Sequence, residues 1–256
     1  MKVEEFLKTE YFDMEDSDLD RAFYILNKIP NEYGKSHYIN PNYDLERSIN
    51  KAINQFNIYK NEKLTKTIDK EATKSVLYRE QEEIPMGFNM QFISDKNKNV
   101  LPLLSHPRIL DDVSYAFIGH EFHHVLKDVY EEERKLRNRF SEVIPMFYEL
   151  IATDKEKDEE VKREILNRRM LLLTLDKKYY EASSLGQLQY FNSYYYALCL
   201  NNKYKENPIL VLRLVTRVLL GEITTLDLLK LLNIYDDSLN DIVDDEMYNI
   251  KEYIYG

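Results

Sequence analysis

Tryptophan is absent from this chain of 256 residues, and glycine, proline and cysteine are scarce, with 6, 7 and 1 residues. The single cysteine, Cys199, excludes a disulfide within the chain and fits a reducing compartment. Few glycines and prolines beside abundant leucine, lysine and glutamate favour a mostly helical protein. The N-terminus has no basic segment followed by an apolar run, so we expect no signal peptide and predict a cytoplasmic location.

A long hydrophobic run and an excess of positive charge are also lacking. The most apolar stretch, 208–221, is too short to span a bilayer and contains two arginines, so we expect a core helix and no membrane partner. The net charge of −10 argues against a nucleic-acid partner, which would require a basic face. The sequence leaves the oligomeric state open.

The most informative motif is His120-Glu121-Phe122-His123-His124, which reads as H-E-x-x-H. On a helix, residues four positions apart lie on the same face, so His120 and His124 can bind one Zn²⁺. Glu121 is then the natural general base for a water bound to the metal. The alternative is a charged helix with incidental histidines. The apolar residues on both sides of the motif argue against that alternative, because a buried helix requires partners for such polar groups.

Two histidines require a third protein ligand, and the candidates are Glu142 and Glu149 on the next predicted helix. They are seven residues apart, so both can point at the metal region. One would be the ligand, and the other would orient a histidine through its free ring N–H. Asp128, four residues after His124, is a further candidate for that orienting role.

The chain before the motif predicts helix first and sheet second. A long amphipathic pattern runs from Asp44 to Leu77, and it is broken by Pro85 and Gly87. Alternating residues at 88–92 predict a short strand, and 100–104 predicts a second extended segment. We therefore expect a sheet of two or three strands beside the motif helix, because zinc peptidases often bind the substrate backbone along a strand edge.

Three segments together resemble the oligoendopeptidase F and thimet oligopeptidase family of zinc peptidases. They are Leu110-Asp111-Asp112-Val113 leading into H-E-x-x-H, the Glu142 to Glu149 helix, and the tyrosine-rich stretch 189–197. The resemblance implies a zincin-like domain in which Glu142 is the third ligand, although Glu149 lies nearer the family's spacing. It also implies that a hydroxyl of Tyr190, Tyr194 or Tyr196 stabilises the oxyanion, whereas core packing is the alternative for most of these tyrosines.

The chain also departs from the family's pattern. His123 stands where the family has glycine, and no histidine precedes the tyrosine-rich helix. His106 is a candidate for substrate binding because it lies just before the motif helix in the predicted substrate-edge segment; a surface-loop histidine is the alternative. The resemblance covers roughly 101–208, which is less than half of the chain.

These observations predict a mainly α, zincin-like metallopeptidase domain with a small sheet beside the active-site helix. We expect a single domain over 1–256, with an N-terminal helical part and edge strands in 1–100 and the zinc-binding catalytic part in 101–256. The expected function is zinc-dependent hydrolysis of peptide bonds in oligopeptides or unstructured segments. The alternatives are a processing protease with a single substrate and a zinc-binding scaffold without turnover.

Overall fold

A computed structural model of the chain describes residues 14–32, 35–42, 44–81, 88–94, 100–130, 139–182, 185–235 and 238–256, with the backbone alone at 92, 94, 100, 127–130 and 185. Its helices are α1 (Asp16–Lys28), α2 (Leu45–Gln55), α3 (Glu62–Lys74), α4 (Ser114–Tyr130), α5 (Val143–Lys155), α6 (Glu159–Glu181), α7 (Leu188–Glu206), α8 (Pro208–Leu219), α9 (Thr225–Leu231) and α10 (Asn240–Tyr255). The strands are β1 (Leu77–Gln81), β2 (Asn89–Ser94) and β3 (Val100–Pro107). The prediction of a mainly α fold with a small sheet is confirmed. In the parts of the chain that are described, no helix combines the length and the apolar character that a membrane span requires.

The long amphipathic pattern after Asp44 forms two helices rather than one. Asp44 begins α2 by accepting a hydrogen bond from the Arg47 N–H at 2.9 Å, and a short 3₁₀ helix, Phe56–Tyr59, follows α2. Lys60 then adopts a left-handed conformation with φ of 50°, which ends the helical path. Asn61 caps α3 by accepting from the Leu64 N–H at 2.9 Å.

The sheet has the strand order β1-β3-β2, so β3 is its central strand. β1 runs parallel to β3 with Leu77 opposite Leu103, and β2 runs antiparallel to it with Asn89 opposite Ser105. The sequence did not predict β1, which follows α3 after a short turn. Residues 95–99, which connect β2 to β3, lie outside the described residues.

Two helices organise the core. α7 is buried on nearly every side and packs against α1, α5, α8 and α10. α4 packs against α5, α2 and α3 on its core side and against β2 on its other side. α4, which contains the motif, therefore lies between the sheet and the helical core.

Candidate metal centre

The first turn of α4 is fixed by a buried carboxylate. Asp111 accepts hydrogen bonds from the Val113 N–H at 3.3 Å and the Ser114 hydroxyl at 2.8 Å. The guanidinium of Arg168, on α6, binds both carboxylate oxygens of Asp111, with Nη1 3.1 Å from Oδ1. The ion pair is almost fully buried, so it anchors the start of the motif helix to α6.

Three donor atoms meet beside α4. The Nε2 atoms of His120 and His124 are 3.3 Å apart, and they lie 3.1 and 3.4 Å from Oε2 of Glu142. Glu142 is the residue immediately before α5 and is nearly buried. Four tetrahedral ligands at zinc distances of roughly 2.1 Å would be about 3.4 Å from one another. The spacing of these three atoms, and their nitrogen and oxygen chemistry, are therefore those of a group that could hold a metal ion with three protein ligands.

Glu149 lies behind His120 rather than among the three donors. Its Oε1 is 2.6 Å from Nδ1 of His120, and its Oε2 accepts from Nε of Arg169 at 2.6 Å. Burial opposes ionisation, but the charge of Arg169 lowers the pKa of Glu149 below its ordinary value. An ionised Glu149 accepts a hydrogen bond from Nδ1–H of His120, and this tautomer directs the Nε2 lone pair to a metal. The geometry therefore favours Glu142 as the ligand and Glu149 as the residue that orients His120.

His123 points away from the three donors. Its Nδ1 donates to the Gly119 carbonyl at 2.6 Å, and its Nε2 accepts from the Tyr59 hydroxyl at 2.7 Å. The ring packs against both Phe56 and Tyr148, each 4.6 Å away between centroids. A side chain at Gly119 would collide with the Tyr148 ring, so glycine permits this packing. Burial lowers the pKa of His123 to about 3, which makes it a neutral core residue.

Glu121 occupies the gap between α4 and the sheet. Its Oε2 accepts a hydrogen bond from the Met90 N–H of β2 at 2.9 Å, so this N–H faces α4 rather than β3. Burial raises the pKa of Glu121 above its ordinary value, against the opposing charges of His120 and His124. A carboxylate whose proton affinity is raised beside a metal site is suited to accept and return a proton.

The three candidate tyrosines lie in different places. Tyr190 is partly exposed and interacts electrostatically with the carboxylates of Glu142 and Glu121. The Tyr194 hydroxyl instead contacts the sulfur of Met170 at 3.8 Å. The Tyr196 hydroxyl donates to the buried Asp18 of α1 at 3.1 Å. Tyr190 is therefore the one of the three whose charge environment includes Glu142 and Glu121, whereas the hydroxyls of Tyr194 and Tyr196 are directed elsewhere.

The remaining candidates are His106 and Asp128. The expectation that His106 lies in an edge segment was wrong, because β1 covers that side of β3 and pairs Glu80 with His106. The ring is nearly buried, and its Nδ1 donates to the Pro107 carbonyl at 2.9 Å. The alternative of a surface-loop histidine is also wrong, because His106 lies in the central strand and is nearly buried. The side chain of Asp128 lies outside the described residues.

Sequence reasoning missed two residues of α6. Arg169 holds Glu149, and Asp176 lies seven residues, or two turns, further along the same helix. Burial raises the pKa of Asp176 to about 7, opposed by Arg169 and supported by the charge of Glu142. The available signal was the pair of arginines within the apolar stretch 165–173, because buried arginines require carboxylate partners.

Comparisons with known proteins add a likeness of fold. No family model and no curated protein matches the sequence. Among solved structures, the chain is similar to one described as "putative peptidase from Chlamydophila abortus", with 13% sequence identity and a TM-score of 0.50. The match covers 98% of this chain and 55% of that one, so this chain spans about half the length of its structural neighbour. At this identity the likeness concerns the fold alone.

Proposed function

We propose that the protein is a zinc-dependent metallopeptidase that hydrolyses peptide bonds in oligopeptides or unstructured segments. The observation that carries the proposal is the set of three donor atoms, from His120, His124 and Glu142, at separations of 3.1–3.4 Å. Glu121 follows His120 in the chain and is directed to the sheet, where it accepts a hydrogen bond from the Met90 N–H. The fold likeness to a structure described as a peptidase is consistent with this function.

Each residue of the site has a role that its position supports. A bound zinc would supply a Lewis acid that polarises the scissile carbonyl and lowers the pKa of the attacking water. Glu121 would accept the proton of that water and return it to the leaving amine. Tyr190 would donate its hydroxyl hydrogen bond to the developing oxyanion, because it is the one tyrosine of the three candidates that interacts with both Glu142 and Glu121.

The strand β2 supports a peptide as the substrate class. β2 pairs with β3 along one side, and its Met90 N–H is directed to Glu121 on the other side. A substrate backbone added along that outer side would lie beside Glu121 and could take over the hydrogen bond from the Met90 N–H. Extended, unstructured segments can pair in this way, whereas folded proteins present few free strands.

The substitution Glu121→Gln tests the proposal, because it removes the base without removing a metal ligand. We expect the wild type to cleave members of a mixed peptide library, with mass spectrometry as the readout. We expect the variant to bind zinc equally and to lose about 10²–10⁴-fold in rate. If the wild type binds zinc but cleaves no peptide, the protein is a zinc-binding scaffold. If Glu121→Gln retains full activity, the assignment of the base is wrong.

A further inference from the structure

A second concave site lies on the opposite side of Tyr59 from the motif helix. It is a groove of about 800 Å³ between α8, the 3₁₀ helix Phe56–Tyr59 and the residues that follow it. Tyr59 forms part of its wall, and the Tyr59 hydroxyl is bonded to His123 of α4 behind that wall. The groove therefore does not share the three donor atoms of the candidate metal centre.

The floor of the groove is one face of α8. Ile209, Leu212, Thr216 and Leu220 line it at helical spacing, so successive turns of α8 contribute to one ridge. From Ile209 to Leu220 this ridge is about 16 Å long at the rise of an α-helix, which is three turns. Ile209 is 78% exposed and Leu210 is 43% exposed, an unusual exposure for large apolar side chains at the start of a helix. Exposed apolar surface of this kind marks binding sites.

The rim of the groove is basic, although the protein is strongly acidic. Lys60, Lys155, Arg213 and Arg217 line it, and Glu222 is the one acidic residue among the described residues that line it. Glu222 is bonded to Arg217 at 3.1 Å. Lys60, Lys155 and Arg213 are exposed and take part in no ion pair among the described residues. The groove thus has a positive rim on a chain whose net charge is −10.

We propose that this groove binds an amphipathic helix of a partner protein whose apolar face carries leucine-type side chains and whose flanks are acidic. An apolar ridge of three turns fits the apolar face of a helix of similar length. The acidic flanks complement the exposed cations of the rim, and they give the interaction its specificity. A helix laid along α8 would contact the ridge over its whole length, including the exposed Ile209. The proposal does not depend on catalysis at the metal centre.

The test uses the full-length protein and a fluorescein-labelled peptide of 18 residues, with leucine at helical spacing and glutamate at the flanking positions. Fluorescence anisotropy measures its binding at low and at physiological salt. The matched control peptide has lysine in place of each glutamate. We expect saturable binding of the acidic peptide that weakens as salt is raised, and binding of the basic peptide that is at least about tenfold weaker.

Substitutions of groove residues test whether the peptide binds in the groove. The double substitution Lys60→Glu/Arg213→Glu should weaken the acidic peptide by about tenfold or more, because two attractive charges become repulsive. Ile209→Ser should weaken it by about threefold to tenfold through lost apolar contact. Both changes affect exposed side chains, so we expect no loss of folding. Lys70→Glu, an exposed position on α3 outside the groove, is the control and should leave the affinity unchanged.

Several outcomes would overturn the proposal. The proposal is wrong if the acidic peptide shows no saturable binding, if the two peptides bind equally, or if the groove variants do not change the affinity. Displacement of the peptide by laurate at stoichiometric concentration would assign the groove to a small amphipathic anion instead. Self-association in sedimentation velocity that Ile209→Ser abolishes would assign it to a second copy of the chain.

Discussion

The ion pair between Arg169 and Glu149 offers the sharpest test of how the candidate site is held. Both side chains are nearly inaccessible, at 8% and 2% exposure, and the guanidinium binds both carboxylate oxygens. Arg169→Met leaves the Glu149 carboxylate buried without its main counter-charge, which should cost about 3–5 kcal/mol of unfolding free energy. Loss of the guanidinium that holds Glu149 against His120 should also weaken zinc binding by about 10–100-fold.

A double-mutant cycle separates this coupling from packing. Glu149→Gln should itself be destabilising, because it leaves Arg169 buried and unpaired. In the double variant Arg169→Met/Glu149→Gln no unpaired charge remains, and the amide oxygen can still accept a hydrogen bond from Nδ1–H of His120. We therefore expect the double variant to be more stable than the sum of the single effects implies, by about 2 kcal/mol.

Urea unfolding in the presence of a chelator measures the free energy of unfolding of the wild type, the two single variants and the double variant. Competition with a chromogenic chelator measures the zinc affinity of each. Arg163→Met, at an exposed position on the same helix, is the matched control and should change stability by less than about 0.5 kcal/mol. Additive effects in the cycle, or a cost of less than about 1 kcal/mol for Arg169→Met, would refute the inferred role of this pair.

Two further predictions concern His123 and the tyrosines. Because His123 has a pKa of about 3 in the fold and a reference value of 6.5, the unfolded chain binds one more proton between these pH values, and stability falls as pH falls through that window. His123→Phe should remove a slope of up to about 1.4 kcal/mol per pH unit from urea titrations of the metal-free protein, and parallel slopes for variant and wild type would contradict this. Tyr190→Phe should lower kcat on a cleaved peptide by about 10²–10³-fold with KM little changed. Tyr196→Phe should leave kcat unchanged and cost about 1 kcal/mol of stability through the lost bond to Asp18, so equal losses of kcat would argue against the assignment of the oxyanion donor.

The local geometry of the candidate site could be predicted from the sequence. The separation of His120 and His124 is one helical turn, so their common face follows from helix geometry alone. The same argument places Glu142 and Glu149 on one face of the predicted helix, but it does not say which carboxylate reaches Nε2 and which reaches Nδ1. That distinction depends on how α5 lies against α4, which is a matter of tertiary packing.

The contacts that sequence reasoning missed are all distant in the chain. Arg169 reaches His120 and Glu149 only because α6 returns beside α4, and no local pattern encodes that return. Lys60 divides α2 from α3 without glycine or proline, so the signal for the break is limited to Asn61, the residue that caps α3. β1 has the polar sequence Leu-Tyr-Arg-Glu-Gln, and it forms because it pairs with β3 rather than because its residues favour a strand.

Metal content is the most direct test of the central claim. Elemental analysis after reconstitution and desalting should find one zinc per chain in the wild type. Glu142→Gln should lose the metal because it removes a donor, whereas Glu149→Gln should retain it at saturating zinc with an affinity reduced by about 10–100-fold. A wild type without zinc, or zinc retained at full affinity in Glu142→Gln, would contradict the assignment of His120, His124 and Glu142 as a metal centre.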